Sequence, residues 1–248
     1  MPEGDTIFRA ASVLRRWIGG RRITGGSIER LVGETVEEVE AKAKHLLIRC
    51  TGNLTLHTHM KMTGSWHVYS AGERWRRPRS EARAVLECGD RLAVCFNAPV
   101  VELIDRRSEV LHPSISRLGP DVLKPPIDVA EVRRRARATD PQRPIADVLL
   151  DQAIVSGIGN IWRAETLFVE RVDPATPVRE VSDETLDALV ATAARLMTAS
   201  VSTTRPQEPW VYGRRNRPCK RCRTPVRSAR FENGRSVYWC PNCQRHPL

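Results

Sequence analysis

The sequence predicts an α+β chain of several parts: an N-terminal β-sandwich with a flanking helix, a helical middle region, and a small cysteine-bearing module at the end. Three observations predict it. Apolar residues recur at helical spacing in residues 5–18, strand-like apolar runs separated by Gly and Asn turns follow from about residue 22 to 105, and four cysteines stand in two pairs near the end. With 248 residues, 41% of them apolar and 28% charged, the chain is long enough for a real core and for two or three domains.

Each element has a local reason. In the first helix Ile7, Ala11, Leu14 and Ile18 share one face, Asp5 or Thr6 caps the start, and Gly19-Gly20 ends it. His45–Cys50, Leu54–His59 and Arg91–Phe96 read as strands. The second part opens at Gly119-Pro120 and offers helices over Val129–Ala138, Pro144–Val155, Asn160–Glu170 and Ser182–Met197. Ser156-Gly157-Ile158-Gly159-Asn160 is a tight connection between two of them, a common way to turn backbone N–H groups toward a phosphate. The domains expected are 1–118, 119–205 and 206–248.

Charge narrows the partners. The formal net charge is +11, which favours polyanions. From Arg205 onward there are eleven Lys/Arg against two acids, Glu208 and Glu232, so the excess is concentrated in the last part. No apolar run approaches the roughly 18 residues of a spanning helix. The opening residues lack the basic and apolar regions of a secretory signal. The expectation is a cytoplasmic protein without a membrane partner, in which Cys50, Cys88 and Cys95 are buried thiols.

The other four cysteines have metal-ligand spacing. Cys219-x2-Cys222 and Cys240-x2-Cys243 are separated by seventeen residues, the zinc-ribbon pattern, with two disulfides or a redox pair as the alternative. Four thiolates fill a tetrahedral shell, so one structural Zn2+ is expected, supplying the folding energy of a segment too short and charged to bury much core. The hairpin between the pairs carries Arg227, Arg230 and Arg235, placed to meet phosphates.

The first residues suggest a reactive group. Met1 precedes the small residue Pro2, and its removal leaves a secondary amine. An α-amino group titrates at about 7.7–8.0, so a useful fraction is neutral and can attack an aldehyde-like carbon. Glu3 stands beside it and can pass protons.

Together these features resemble the formamidopyrimidine-DNA glycosylase/endonuclease VIII family. The likeness rests on Pro2-Glu3-Gly4, Ala43-Lys44-His45-Leu46-Leu47, His112-Pro113, Leu118-Gly119-Pro120-Asp121-Val122-Leu123, Leu149-Leu150-Asp151-Gln152-Ala153, Gly157-Ile158-Gly159-Asn160, Val211-Tyr212-Gly213-Arg214 and Tyr238-Trp239-Cys240-Pro241-Asn242-Cys243-Gln244, in the family's order. The resemblance implies a helix–two-turn–helix domain in the middle and a four-cysteine zinc finger at the end. It implies a monomeric base-excision repair enzyme, a bifunctional DNA glycosylase and DNA-(apurinic or apyrimidinic site) lyase, acting on DNA with oxidised bases or abasic sites. Pro2 would be the Schiff-base nucleophile at the sugar C1′ and Glu3 the proton carrier. Lys44 would be the β-hairpin lysine that contacts phosphate near the lesion. Gly159 and Asn160 would bind backbone phosphate, and Arg235 would hold the phosphates flanking a flipped nucleotide. Lys61-Met62-Thr63 stands at the family's wedge, with Met62 as the apolar filler of the vacated stack. The bland alternatives are a core Met62 and an exposed strand Lys44.

Two departures matter. Asp5 and Thr6 stand where many members have Pro and Glu, which implies weaker base excision relative to strand cleavage, or proton handling by Glu3 or Asp5 instead. The segment between Thr203-Thr204-Arg205 and Tyr212-Gly213-Arg214 is short, as in the endonuclease VIII branch, and this points to oxidised pyrimidines. The competing reading is a non-catalytic or degenerate zinc-ribbon DNA-binding protein, which explains the basic residues equally well but has no need of Pro2-Glu3.

Overall fold

A computed structural model describes residues 2–203, 208–231 and 234–245. The chain divides into two compact units, Met1–Ser116 and Arg117–Leu248. The expected boundary at 205/206 lies outside the described residues.

The first unit begins with α1 (Gly4–Ile18), whose Ile7, Ala11, Leu14 and Ile18 are all buried, as the periodicity predicts. Strands β1 (Gly25–Gly26), β2 (Val36–Lys42), β3 (His45–Cys50), β4 (Leu54–His59), β5 (Ser65–Ser70), β6 (Ala82–Cys88), β7 (Arg91–Phe96) and β8 (Val100–Asp105) follow. Among the described residues they form two four-stranded antiparallel sheets, ordered β2-β3-β4-β8 and β1-β6-β7-β5. Leu46, Ile48 and Cys50 of β3 and Leu54 and Leu56 of β4 point into a shared core with Ala84, Leu86, Ala93 and Cys95 of the other sheet and the apolar face of α1. Cys50, Cys88 and Cys95 are buried thiols, and burial pushes them up to about 12, 11 and 12. The opposite face of β3, β4 and β8 is polar, carrying His45, Arg49, Thr55, His57, His59 and Glu102. Two short helices follow, α2 (Arg106–Leu111), which packs against β4 and β8, and α3 (Pro113–Ser116), which packs against α2. No apolar periodicity in the sequence announces them. Their local signal is Asp105, whose carboxylate accepts the Ser108 N–H at 2.7 Å as an N-cap.

The second unit contains α4 (Val129–Arg137), α5 (Ile145–Leu150), α6 (Asn160–Val169) and α7 (Asp183–Ser202), then the hairpin of β9 (Arg227–Arg230) and β10 (Ser236–Trp239). The expected helix Pro144–Val155 stops five residues early. Asp151 accepts the Ala153 N–H at 2.9 Å, and its backbone leaves the helical region, so the side chain competes with the helix for backbone donors. The last helix runs further than expected, to Ser202. Val237 of β10 lies in the same core as Ile145, Leu149, Ile158, Leu167 and Leu189, while Val211, Val226, Cys219 and Cys240 pack on Ala164 and Phe168 of α6. The cysteine module is therefore built onto α6, and burial against that helix adds to the folding energy expected from metal alone.

Candidate active site and nucleic-acid interface

Glu3 and its neighbours sit where α1 begins. The Glu3 carbonyl accepts the Thr6 and Ile7 N–H groups at 2.9 and 3.1 Å, which starts the helix. Glu3 is only 1% exposed, and Asp5, in the first turn, is also buried and receives Arg9 at 3.4 Å. Two carboxylates thus stand at the N-terminal end of the helix. Pro2 is half-buried just before them.

The packing of α1 tells which end of the sheet these residues reach. The Gly20 N–H donates to the Val36 carbonyl at 2.8 Å, and the Arg15 guanidinium to the Val39 carbonyl at 2.6 and 3.2 Å. Helix and strand therefore run in opposite directions. From Arg15 back to Gly4 the helix rises about 16 Å, and from Val39 to Ala43 the strand advances about 13 Å. The start of α1 consequently lies toward the β2–β3 turn.

That turn carries Lys44. It follows Ala43, which takes φ +54, so Lys44 stands in the tight connection between two strands, half-buried, and is not the exposed strand lysine of the bland reading. The register His45↔His59↔Val100 puts the residues after β4 at the same sheet end. Lys61, with φ +46, Met62 and Thr63 form an exposed turn there, fastened by Lys61 N–H to His59 Nδ1 at 3.0 Å, Thr63 Oγ1 to the Asn97 carbonyl at 3.0 Å, and Gly64 N–H to the Met60 carbonyl at 2.8 Å. Met62 is 63% exposed, so the core reading of this residue is wrong, and Met60 takes the core position instead. Burial first, then the nearby Lys61 and Lys44 charges, hold His59 down at about 4. One end of the first unit therefore gathers Lys44, Lys61, Met62 and the start of α1.

In the second unit, Gly159 is the N-cap of α6 and its carbonyl accepts the Arg163 N–H at 2.9 Å. Asn160, the first helical residue, is mostly buried. Its Nδ2 donates to the Ser236 carbonyl at 3.0 Å, and its Oδ1 accepts from Arg163 Nη2. Ser236 follows directly on Arg235, which is exposed at the end of the β9–β10 hairpin. The helix N-terminus and the finger arginine are thus tied together through one side chain. Residues that sequence reasoning passed over hold this arrangement. Arg163 is fully buried and also bonds Asp147 Oδ1 and the Ala146 carbonyl, each at 3.3 Å. Gln152 donates to the Leu150 and Ile158 carbonyls at 2.8 and 2.9 Å and accepts the Gly157 N–H at 3.0 Å, bracing the loop before α6. Glu165 accepts the N–H groups of Trp210, Val211 and Tyr212 at 2.6, 3.1 and 2.9 Å. Charged residues inside the otherwise apolar Ile161–Val169 run are the signal that would have marked Arg163 and Glu165, since buried charges need partners.

The four module cysteines converge. Cys219 and Cys243 sulfurs are 3.9 Å apart, Cys222 and Cys240 3.4 Å, and all four Sγ atoms lie within 4.8 Å of one another. Zn–S bonds of about 2.3 Å in a tetrahedron separate sulfurs by about 3.8 Å, so the geometry fits one ion and is too open for disulfides. The Arg221 N–H also donates to Cys219 Sγ at 3.4 Å.

The chain matches three family descriptions in order: the formamidopyrimidine-DNA glycosylase N-terminal domain over residues 1–100, its H2TH domain over 118–207, and the zinc finger found in FPG and IleRS over 217–245. It is 38% identical to the probable endonuclease 8 2 of Streptomyces coelicolor over 100% of this chain and 95% of that protein. The chain belongs to the formamidopyrimidine-DNA glycosylase/endonuclease VIII family. The endonuclease 8 2 of Mycobacterium tuberculosis is 37% identical over 99% of this chain and all of that one. The DNA-(apurinic or apyrimidinic site) lyase Nei2 of Mycolicibacterium smegmatis is 35% identical over 98% and 99%. Among solved structures, the Lactococcus lactis Fpg in complex with abasic-site DNA superposes with TM-score 0.85 at 18% identity, over 99% of this chain and 100% of that one, a likeness of fold. The family's zinc finger and the convergent sulfurs agree: Cys219, Cys222, Cys240 and Cys243 hold a structural zinc ion.

Proposed function

We propose that this family member is a base-excision repair DNA glycosylase with abasic-site lyase activity, using Pro2 as nucleophile. The observation that carries the reading is the gathering of the α1 start, Lys44 and the Lys61–Thr63 turn at one end of the β-sandwich. After loss of Met1, the Pro2 nitrogen attacks C1′ of the damaged nucleotide, the base leaves with a proton, and an iminium forms. Glu3, buried beside it, delivers a proton to the ring oxygen as the sugar opens. The iminium acidifies the C2′ proton. Its removal expels the 3′ phosphate, and a second elimination expels the 5′ phosphate, leaving a one-nucleotide gap with phosphate at both ends. The electron sink is the iminium itself, so the zinc is left a structural role.

Reaching C1′ requires extruding the nucleotide, which costs a few kcal/mol. Lys44 grips phosphate near the lesion, Met62 fills the vacated stack from its exposed turn, and the α6 N-terminus at Gly159-Asn160 together with Arg235 holds the flanking phosphates. Relatives named endonuclease 8 and the short 203–212 connection support oxidised pyrimidines as the preferred bases, and a monomer suffices for the reaction.

Borohydride trapping tests the nucleophile. Untagged protein, with Met1 removal checked by mass spectrometry, is mixed with oligonucleotides carrying an abasic site or an oxidised pyrimidine and reduced. A covalent adduct that is absent in Pro2→Ala establishes imine chemistry at Pro2. No adduct on either DNA, from protein with free Pro2 and intact zinc, favours the non-catalytic binder.

A further inference from the structure

Four of the chain's six histidines, His45, His57, His59 and His112, gather on the polar face of the β2-β3-β4-β8 sheet and the turn after α2. The proposed chemistry at Pro2 does not use them. Within the cluster one carboxylate and two imidazoles converge. Glu102 Oε2 on β8 lies 3.1 Å from His57 Nδ1 on β4 and 3.1 Å from His112 Nε2. The three ligand atoms all lie within 4.8 Å of one another.

The outer contacts distinguish this cluster from a chance huddle of polar groups. Each histidine has a partner at the ring nitrogen that faces away from Glu102. His57 Nε2 meets His45 Nδ1 at 2.8 Å, and His112 Nδ1 meets Ser114 Oγ at 2.9 Å. Metal-binding imidazoles are oriented in this way, with the second nitrogen fixed by a hydrogen bond. His57 and His45 are buried and rigidly placed by adjacent strands, while Glu102 is 45% exposed. The ligand set thus has a fixed inner side and an open outer side.

We propose that His57, Glu102 and His112 form a second metal site, taking a divalent first-row cation with affinity for imidazole, zinc being the representative. Two nitrogens and a carboxylate oxygen supply three ligands, and water completes the shell on the exposed side of Glu102. His45 and Ser114 orient the two imidazoles. The ion clips the turn after α2 to strands β4 and β8, independently of the cysteine site in the other unit.

Cobalt reports the two sites separately. Protein with its cysteine site zinc-loaded is equilibrated with Co2+ at neutral pH, and metal content and absorption are measured. The expected result is one additional cobalt per chain with ligand-field bands and no thiolate-to-cobalt charge transfer, zinc remaining at one per chain. Glu102→Gln and His112→Gln substitute solvent-accessible side chains, so the fold persists, as circular dichroism would verify. Each should weaken cobalt binding at least tenfold, and Ser114→Ala by roughly tenfold to a hundredfold, the range for loss of an orienting partner. The proposal is overturned by uptake of no second metal, by cobalt that appears only with a thiolate charge-transfer band, or by a second metal that survives both ligand substitutions. In those cases the cluster is a hydrogen-bonded network alone.

Discussion

At the residue scale, a few buried charged groups decide the chemistry and the positioning. Glu3 is enclosed at the start of α1, so it is held beside Pro2 with little freedom. Glu3→Gln should lower base excision by about 10²–10⁴-fold, the usual weight of a positioned acid–base group. Trapping at a pre-formed abasic site should persist, because the amine still attacks an open aldehyde. Equal loss of excision and trapping would show that Glu3 acts by supporting the fold around Pro2. Arg163 is the counterpart in the second unit. It is fully buried, pairs with Asp147, and fixes the Asn160 amide that reaches Ser236. Arg163→Ala takes a buried cation from beside Asp147 and from the Asn160 amide and should cost about 3–5 kcal/mol, seen as a lower denaturant midpoint. A midpoint shift worth under about 1 kcal/mol would mean that the pair is replaceable by water.

At the element scale, the connection before α6 depends on close backbone approach. Gly119 donates to the Gln152 carbonyl at 2.8 Å, and a Cβ there would lie 2.3 Å from the Ile154 carbonyl oxygen. Since that oxygen belongs to the backbone, Gly119→Ala must displace the loop, at a cost of about 1–3 kcal/mol. Binding to abasic DNA should weaken with it, measured by anisotropy. Unchanged stability and binding would show that the loop adjusts freely. The polar side of the sandwich sheet has its own element-scale consequence. Burial pushes the Glu109 carboxyl up, but hydrogen bonds from Arg49 at 3.1 Å and Thr55 at 2.8 Å outweigh it and hold the group below its ordinary 4.5. A carboxylate lowered in the folded state stabilises above its unfolded value, and that contribution fades as pH falls through the folded one. The first unit should therefore lose stability below about pH 4.5, and Glu109→Gln, already less stable at neutral pH, should show a flatter acid dependence. Parallel acid curves for the two proteins would exclude this network as the source.

At the scale of the whole molecule, charge and zinc are the controlling variables. A net charge of +11 makes DNA affinity steeply salt-dependent, with a log–log slope of about −0.9 per phosphate neutralised. Arg235→Ala should reduce that slope by about 1 and leave the zinc in place. Loss of zinc from this variant would reveal a structural arginine. Chelation of the finger zinc should release β10 from α6, abolishing the Asn160–Ser236 contact and DNA binding while most helical ellipticity remains. Retained binding in zinc-free protein would place the phosphate grip elsewhere.

What the sequence determined by itself is what local patterns encode. The period of Ile7, Ala11, Leu14 and Ile18 specified α1, the strands at 45–50, 54–59 and 91–96 appear at those bounds, and the spacing of four cysteines specified the zinc site. Each signal is carried by residues close in the chain, where periodicity and ligand spacing act directly. The tertiary structure alone decided the rest. It joined Asn160 to the carbonyl of Ser236, set Glu102 between His57 and His112, and turned Met62 outward while Met60 took the core. Those pairings span up to seventy-six positions. Strand register and helix packing, not local propensity, bring such partners within hydrogen-bonding distance.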